Sequence, residues 1–428
     1  MTLIVTAFAV ETLSVTWCLK IQGAAPFFSF PYFVSGLGIA VGLLFFPSLR
    51  LPARVDRPWK SPYIHHRIIL TGLVALALYS WSLYWFEELP IDVNTADMLP
   101  IIKVMGDRFI AGQQSHIYDT IPWIWGGAQP IYLPAMWLPY TPAIAVGIDM
   151  RWVNMACLLF VAGAFLFLYR PRDDGYRSFF LGVIAFLLFW WVVADNTPGI
   201  VSTAEEGVVI GYYVLLVLAL VSGRPWLTGI AVSLCMLSRY ALVGWIPAYI
   251  FYLVLEKRWK TLWIIAATGI ACFVGLFLLP VGWVTFLRLF RLPGDYIAFA
   301  ARVWKDSPDV FSTAPAFAWF FGPGRVALQH GLLVVLSFVL PILFIGFCRR
   351  LRSHRKLANI PLAALKLSLV VFYSFIDVPY LYLFYTSSFV SLILLTLALR
   401  TSQEDAGTRA ASDASQSVRS RAGQPALP

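Results

Sequence analysis

Acids and bases gather in the stretch 89–129, which holds Asp92, Asp97, Asp107, Arg108, His116 and Asp119. An aromatic run spaced by prolines follows at once: Tyr132-Leu133-Pro134-Ala135-Met136-Trp137-Leu138-Pro139-Tyr140. A carboxylate at a water–lipid boundary can take the proton of a hydroxyl as its oxygen attacks, which is general-base chemistry. Asp97 is the acid best placed to do so. It opens Asp97–Ala111, where Leu99, Ile101, Ile102, Met105, Phe109 and Ile110 recur on one helical side. Lys103 and Asp107 sit four apart and can pair along that helix. Asn94 and Thr95 precede Asp97, so a second reading makes it no more than the helix cap. The sequence leaves both open.

Further candidates lie in other polar breaks. Glu205 and Glu206 begin an apolar run, where they could hold an acceptor or simply complement a helix macrodipole. Arg239 interrupts the apolar stretch 234–253, and a guanidinium there must reach the interface or meet an anion. The loop 281–327 carries Arg288, Arg291, Asp295, Tyr296, Arg302, Lys305, Asp306, Asp309 and Arg325. Its basic residues suit an anionic ligand or anionic headgroups. His330 follows and could donate to a phosphate, or be merely packed. Asp377 and Tyr380 lie in the aromatic turn Phe375–Tyr385, which fits an interface belt or stacking on sugar rings.

These residues must be positioned by a membrane fold. The chain has 428 residues, 60% hydrophobic and 13% charged, with mean hydropathy +0.76. Soluble domains run at roughly 45–50% apolar and about 25% charged, so a soluble class is excluded. The fold class is all-α, a polytopic helical bundle. Spans are expected near 3–19, 29–48, 68–88, 152–169, 178–194, 206–222, 227–240, 241–255, 261–280, 328–347, 360–376 and 383–399. That makes about twelve, each able to cross roughly 30 Å of hydrocarbon.

Basic residues fall in alternate loops: Arg50–Lys60, Arg170–Arg177, Arg224, Lys257–Lys260 and Arg349–Lys356. All lie on one side if both termini are cytoplasmic, which places the acidic loop 89–151 outside. This parity requires that 131–147 not cross. Pro134, Pro139 and Pro142 break it, so it reads as an interfacial helix with Tyr132, Trp137 and Tyr140 at headgroup level. The N-terminus lacks a basic leader region, so its first apolar run reads as a retained span. Residues 1–50 form a two-span N-terminal unit, 51–400 the core, and 401–428 a polar tail expected to be disordered. The cysteines Cys18, Cys157, Cys235, Cys272 and Cys348 lie in or beside apolar runs, without disulfide or zinc spacing. The net charge of +10 sits in topology-setting loops and implies no nucleic-acid partner.

The pattern Asp97…Gly112…Tyr118-Asp119…Tyr132-Leu133-Pro134, continuing through Arg151-Trp152-Val153-Asn154, resembles the C-type membrane glycosyltransferases. Within them it is most similar to the polyprenyl-phosphate-mannose-dependent mannosyltransferases, glycosyltransferase family 87. A second likeness covers 205–257, with Gly223-Arg224-Pro225-Trp226 and Ser238-Arg239-Tyr240. Leu133 stands where that family often has a second proline, and the first two spans are an addition to the family pattern. The resemblance implies an inverting transferase that moves a sugar, mannose or related, from a polyprenyl-phosphate donor to a lipid or glycan acceptor. It implies Asp97 as general base, and Arg239, Arg302, Lys305 or His330 as contacts of the donor phosphate. Tyr118, Asp119, Tyr132, Trp137, Glu205, Glu206, Asp377 and Tyr380 would line the acceptor and sugar. The scheme requires no cofactor, although Asp97 with Glu205 or Glu206 could bind a divalent metal. A polysaccharide polymerase or ligase working through 281–327, or a transporter of lipid-linked glycans, is the alternative.

Overall fold

In hydrocarbon a backbone must satisfy its own amides, so long apolar runs fold as helix. Every regular element among the described residues is helical, apart from one isolated bridge between Ile121 and Ala128. The computed structural model describes residues 1–18, 20–21, 25–49, 51, 64–124, 127–168, 198–289, 292–352 and 356–401. The expected span 178–194 and the tail beyond 401 lie outside them.

The architecture is carried by α1 (Thr2–Trp17), α2 (Ser29–Leu44), α3 (Ile64–Glu88), α4 (Met98–Ile110), α5 (Trp152–Leu168), α6 (Glu206–Ser222) and α7 (Pro225–Met236). It continues with α8 (Trp245–Leu255), α9 (Trp259–Phe273), α10 (Leu292–Asp306), α11 (Val326–Arg352), α12 (Ile360–Phe375) and α13 (384–401). Five stretches are long and apolar enough to cross a membrane: Ala25–Leu44, Ile68–Glu88, Trp259–Val281, Pro323–Arg352 and Leu381–Thr401. The chain is therefore a helical membrane protein. The other expected spans among the described residues are apolar helices of 10–17 residues. Charge marks two of their ends, at the bounds expected. α6 starts at buried Glu206, and the run through α7 and α8 breaks around Arg239.

Side-chain clamps sort the helix ends. Arg151, ahead of α5, donates to the carbonyls of Leu89 at 2.5 Å and Phe86 at 3.1 Å at the close of α3. Asn154 of α5 donates to the Ala204 carbonyl just before α6, at 2.8 Å. The start of α6 in turn meets Arg239, beyond α7, and Thr386, in the first turn of α13. At the opposite end Asn359, before α12, donates to the carbonyl of Leu43 in the last turn of α2 and to those of Phe46 and Pro47 beyond it. There too Arg352 of α11 meets Glu256 after α8 at 2.7 Å.

The segment 131–147 does not form one helix. Its prolines cut it into Pro134–Trp137, Leu138–Tyr140 and Thr141–Ala145, none long enough to cross, and these pack on α4. Trp137 and Tyr140 do not present their rings to an interface; both are fully buried in the protein. The cause is that their polar tips find partners inside. The Trp137 indole N–H donates to the Tyr118 hydroxyl at 3.2 Å, and the Tyr140 hydroxyl to Asn154 Oδ1 at 2.6 Å.

Lipid-embedded helices gain little from the hydrophobic effect, so they rely on close packing through small residues. α2 packs on α12 with Gly36 against Val370, which makes the first two helices part of the main core. Gly244, ahead of α8, lies against the backbone of Ser337 in α11 with no room for a methyl. Gly244→Ala is expected to cost about 1–3 kcal/mol through overpacking, read as a lower melting temperature of the detergent-solubilised protein.

Candidate functional site

Arg239 stands in extended backbone between α7 and the 3-10 turn Tyr240–Leu242, its amide still donating to the Cys235 carbonyl at 2.9 Å. What holds its side chain is charge. Its Nη2 lies 2.8 Å from Glu205 Oε1 and 2.5 Å from Glu206 Oε2. All three residues are buried. Thr386 donates its hydroxyl to Glu206 Oε1, and the guanidinium carbon lies 5.9 Å from the centre of the Tyr382 ring. Glu205 occupies the cap position of α6 yet makes no side-chain cap bond, so the pair of acids serves Arg239 in preference to the helix end. Arg239 does not reach solvent; it meets the anion that a buried arginine requires, and that anion belongs to the protein.

The neighbouring loops are stitched to this centre. The Ala135 amide donates to the Leu237 carbonyl at 2.9 Å, and the Tyr212 hydroxyl to the Ala135 carbonyl at 3.1 Å. Asn154 fixes the approach to Glu205 through the carbonyls of Val201 and Ala204. Tyr118 reaches the Tyr132 carbonyl at 3.0 Å, which sets the direction in which Tyr132 leaves the loop.

Asp97 holds the cap position of α4, but its side chain makes no cap hydrogen bond. The carboxylate is thus not committed to the helix end. It is half-buried, and that burial raises its pKa, opposed by its own backbone N–H and reinforced by the charge of Glu205. The same field reaches the tyrosines. Burial raises the Tyr132 hydroxyl, with the charges of Glu205 and Asp97 adding to it. Burial and then Asp97 push Tyr380 up to about 12. Asp97, Glu205, Glu206, Arg239, Tyr132, Tyr380 and Tyr382 therefore form one electrostatic neighbourhood at one end of the bundle.

A second pair borders it. His330 Nδ1 lies 2.7 Å from Asp377 Oδ2, and Gln329 donates to the Ile376 carbonyl at 2.7 Å, tying the start of α11 to the turn after α12. Burial raises the Asp377 pKa and His330 opposes the rise. Tyr296 of α10 connects the two groups: its ring meets Tyr240 edge-on at 6.3 Å, and Asp377 and Arg239 both act on its hydroxyl. Glu205 Oε2 and Asp377 Oδ1 are buried and accept no hydrogen bond from any described residue.

Other expected site residues lie apart from this neighbourhood. Arg302 and Lys305 are exposed on α10. Trp137 is sealed in the core beneath α4, so its ring faces cannot stack on a sugar. Tyr118 is buried beside it, and Asp119 sits in an exposed pair with His116 at 2.6 Å. Arg291 lies outside the described residues. Among the described residues no three His, Cys, Asp or Glu side chains converge to hold a metal ion. Thr386 and Tyr382 were not anticipated; the signal for them was the polar run Thr386-Ser387-Ser388 opening an otherwise apolar segment.

Compared with known proteins, the chain matches no family model, no curated sequence and no solved structure.

Two measurements check the electrostatics. Arg239→Met leaves two carboxylates buried without their cation, and a loss of about 3–5 kcal/mol is expected in detergent melts. Asp97 has a raised pKa, so the fold holds its proton more tightly than the unfolded chain does. That contribution is present below the ordinary carboxylate value of 3.8 and is lost as pH rises through the raised one. Asp97→Asn should therefore melt with the wild type in acid and above it at neutral pH.

Proposed function

We propose that the chain is an inverting membrane glycosyltransferase that moves a sugar from a polyprenyl-phosphate donor to a lipid-linked or envelope glycan acceptor. In this reading the bundle is a C-type transferase core of about twelve spans in a cell membrane, with both termini cytoplasmic. The basic helix ends around Arg258 and Arg349–Arg352 then face the cytoplasm, and the Glu205–Glu206–Arg239 end faces outward.

The observation that carries the reading is the Asp97 carboxylate. It is half-buried, has no capping duty, and is more basic than a free aspartate. A base of that kind accepts the proton of an acceptor hydroxyl as the oxygen attacks the anomeric carbon and the phosphate departs from the opposite face. The leaving phosphate needs a positive or hydrogen-bonding partner. Arg239 is engaged by two carboxylates, and Arg302 and Lys305 stand exposed on α10. The role therefore falls to His330, with Asp377 behind it fixing the ring. Tyr132, Tyr380 and Tyr382 supply hydroxyls and ring faces for the sugar. The scheme needs no metal.

A transporter of lipid-linked glycans is the second reading. The observation favouring it is an ionisable pair, Glu11 and Lys366, buried within the bundle. One assay separates the two. In membranes given radiolabelled polyprenyl-phosphate sugars, the wild type should join label to an acceptor. Asp97→Asn should insert normally and lose transfer by about 100-fold or more. Full transfer by that variant removes Asp97 from the chemistry, and movement of intact labelled lipid without transfer supports the transporter.

A further inference from the structure

The proposed chemistry does not use one fully buried pair of charges. Glu11 of α1 and Lys366 of α12 are both fully buried and lie 2.7 Å apart. Both grip α13. Lys366 Nζ donates to Ser387 Oγ at 2.7 Å, and Ser391 Oγ donates to Glu11 Oε2 at 2.9 Å. Three helices thus share one polar knot inside an apolar bundle.

Such a knot is a poor source of stability, since apolar side chains of similar volume often replace a buried ion pair without loss. What it does provide is register. Serines four apart on one helix can meet the Glu11–Lys366 pair in only one rotation and height. Ser387 follows Thr386 directly, and Thr386 is the residue that donates to Glu206. A turn of α13 by one residue, about 100°, would carry Thr386 off that carboxylate.

We infer that Glu11 and Lys366 are positioning residues for the site: by fixing α13 through Ser387 and Ser391, they hold Thr386 on Glu206 and so keep Glu206 on Arg239. The first helix, an addition to the pattern the chain resembles, then has a defined task in the site's geometry. The effect on transfer rests on the transferase reading; the effect on Glu206 does not.

The test is the double variant E11M/K366M, purified in detergent beside the wild type. The reporter is the infrared carboxyl or carboxylate band of Glu206, assigned as the one lost in E206Q. Expected are a melting temperature close to wild type, a shifted Glu206 band, and a kcat reduced about 10- to 100-fold with donor KM unchanged. An unmoved band overturns the inference, as does a variant that simply fails to fold while S387A/S391A leaves the band in place. S387A/S391A keeps the ion pair but cuts its hold on α13, so it should shift the band by itself. If the wild type transfers no sugar from any polyprenyl-phosphate donor, the transferase reading falls while the infrared comparison still decides the positioning role.

Discussion

A guanidinium inside an apolar bundle must have an anion, and Arg239 has two. Glu205 and Glu206 come from the chain entering α6, Arg239 from the break between α7 and α8, and Thr386 from the first turn of α13. No one of these groups tolerates burial without the others. The ends of these helices are therefore fixed relative to one another by charge, and the loops that bond to them inherit that geometry. Asp97 and Tyr132 both feel Glu205, and the Tyr132 loop is tied, through Ala135 and Leu237, to the same centre.

The arrangement also changes what each charge can do. An arginine already facing two carboxylates is a structural cation, and the local balance is acidic. Asp97 is harder to ionise than a free aspartate chiefly because it is half-buried, and Glu205 adds to that; under the transferase reading this suits a group that takes up a proton. Asp377, paired with His330, and Arg239 both act on the Tyr296 hydroxyl, so the two charged groups border one tyrosine.

Much of the scaffold was legible because apolar runs in lipid have few options. The helix after Asp97 followed from its apolar stripe, its Lys103–Asp107 pair forms at 2.9 Å, and Pro134, Pro139 and Pro142 foretold the broken segment. The boundaries at Glu206 and around Arg239 were legible too, since the expected spans 206–222, 227–240 and 241–255 lie close to α6, α7 and α8. Pair identities were hidden. Arg239 and Glu205 are 34 residues apart, and Glu11 and Lys366 are 355 apart, so no local spacing announces them. Composition pointed Trp137 toward an interface, whereas a single hydroxyl partner, Tyr118, was enough to bury it.

The central claim is that a base at Asp97 drives displacement of a sugar from a lipid phosphate at this site. Its most direct measurement is the anomeric configuration of the product, read by NMR after the purified protein acts on a polyprenyl-phosphate sugar of known configuration. One displacement with a single base gives inversion. Retention, or a purified protein that forms no glycosidic product from any such donor, would contradict the account.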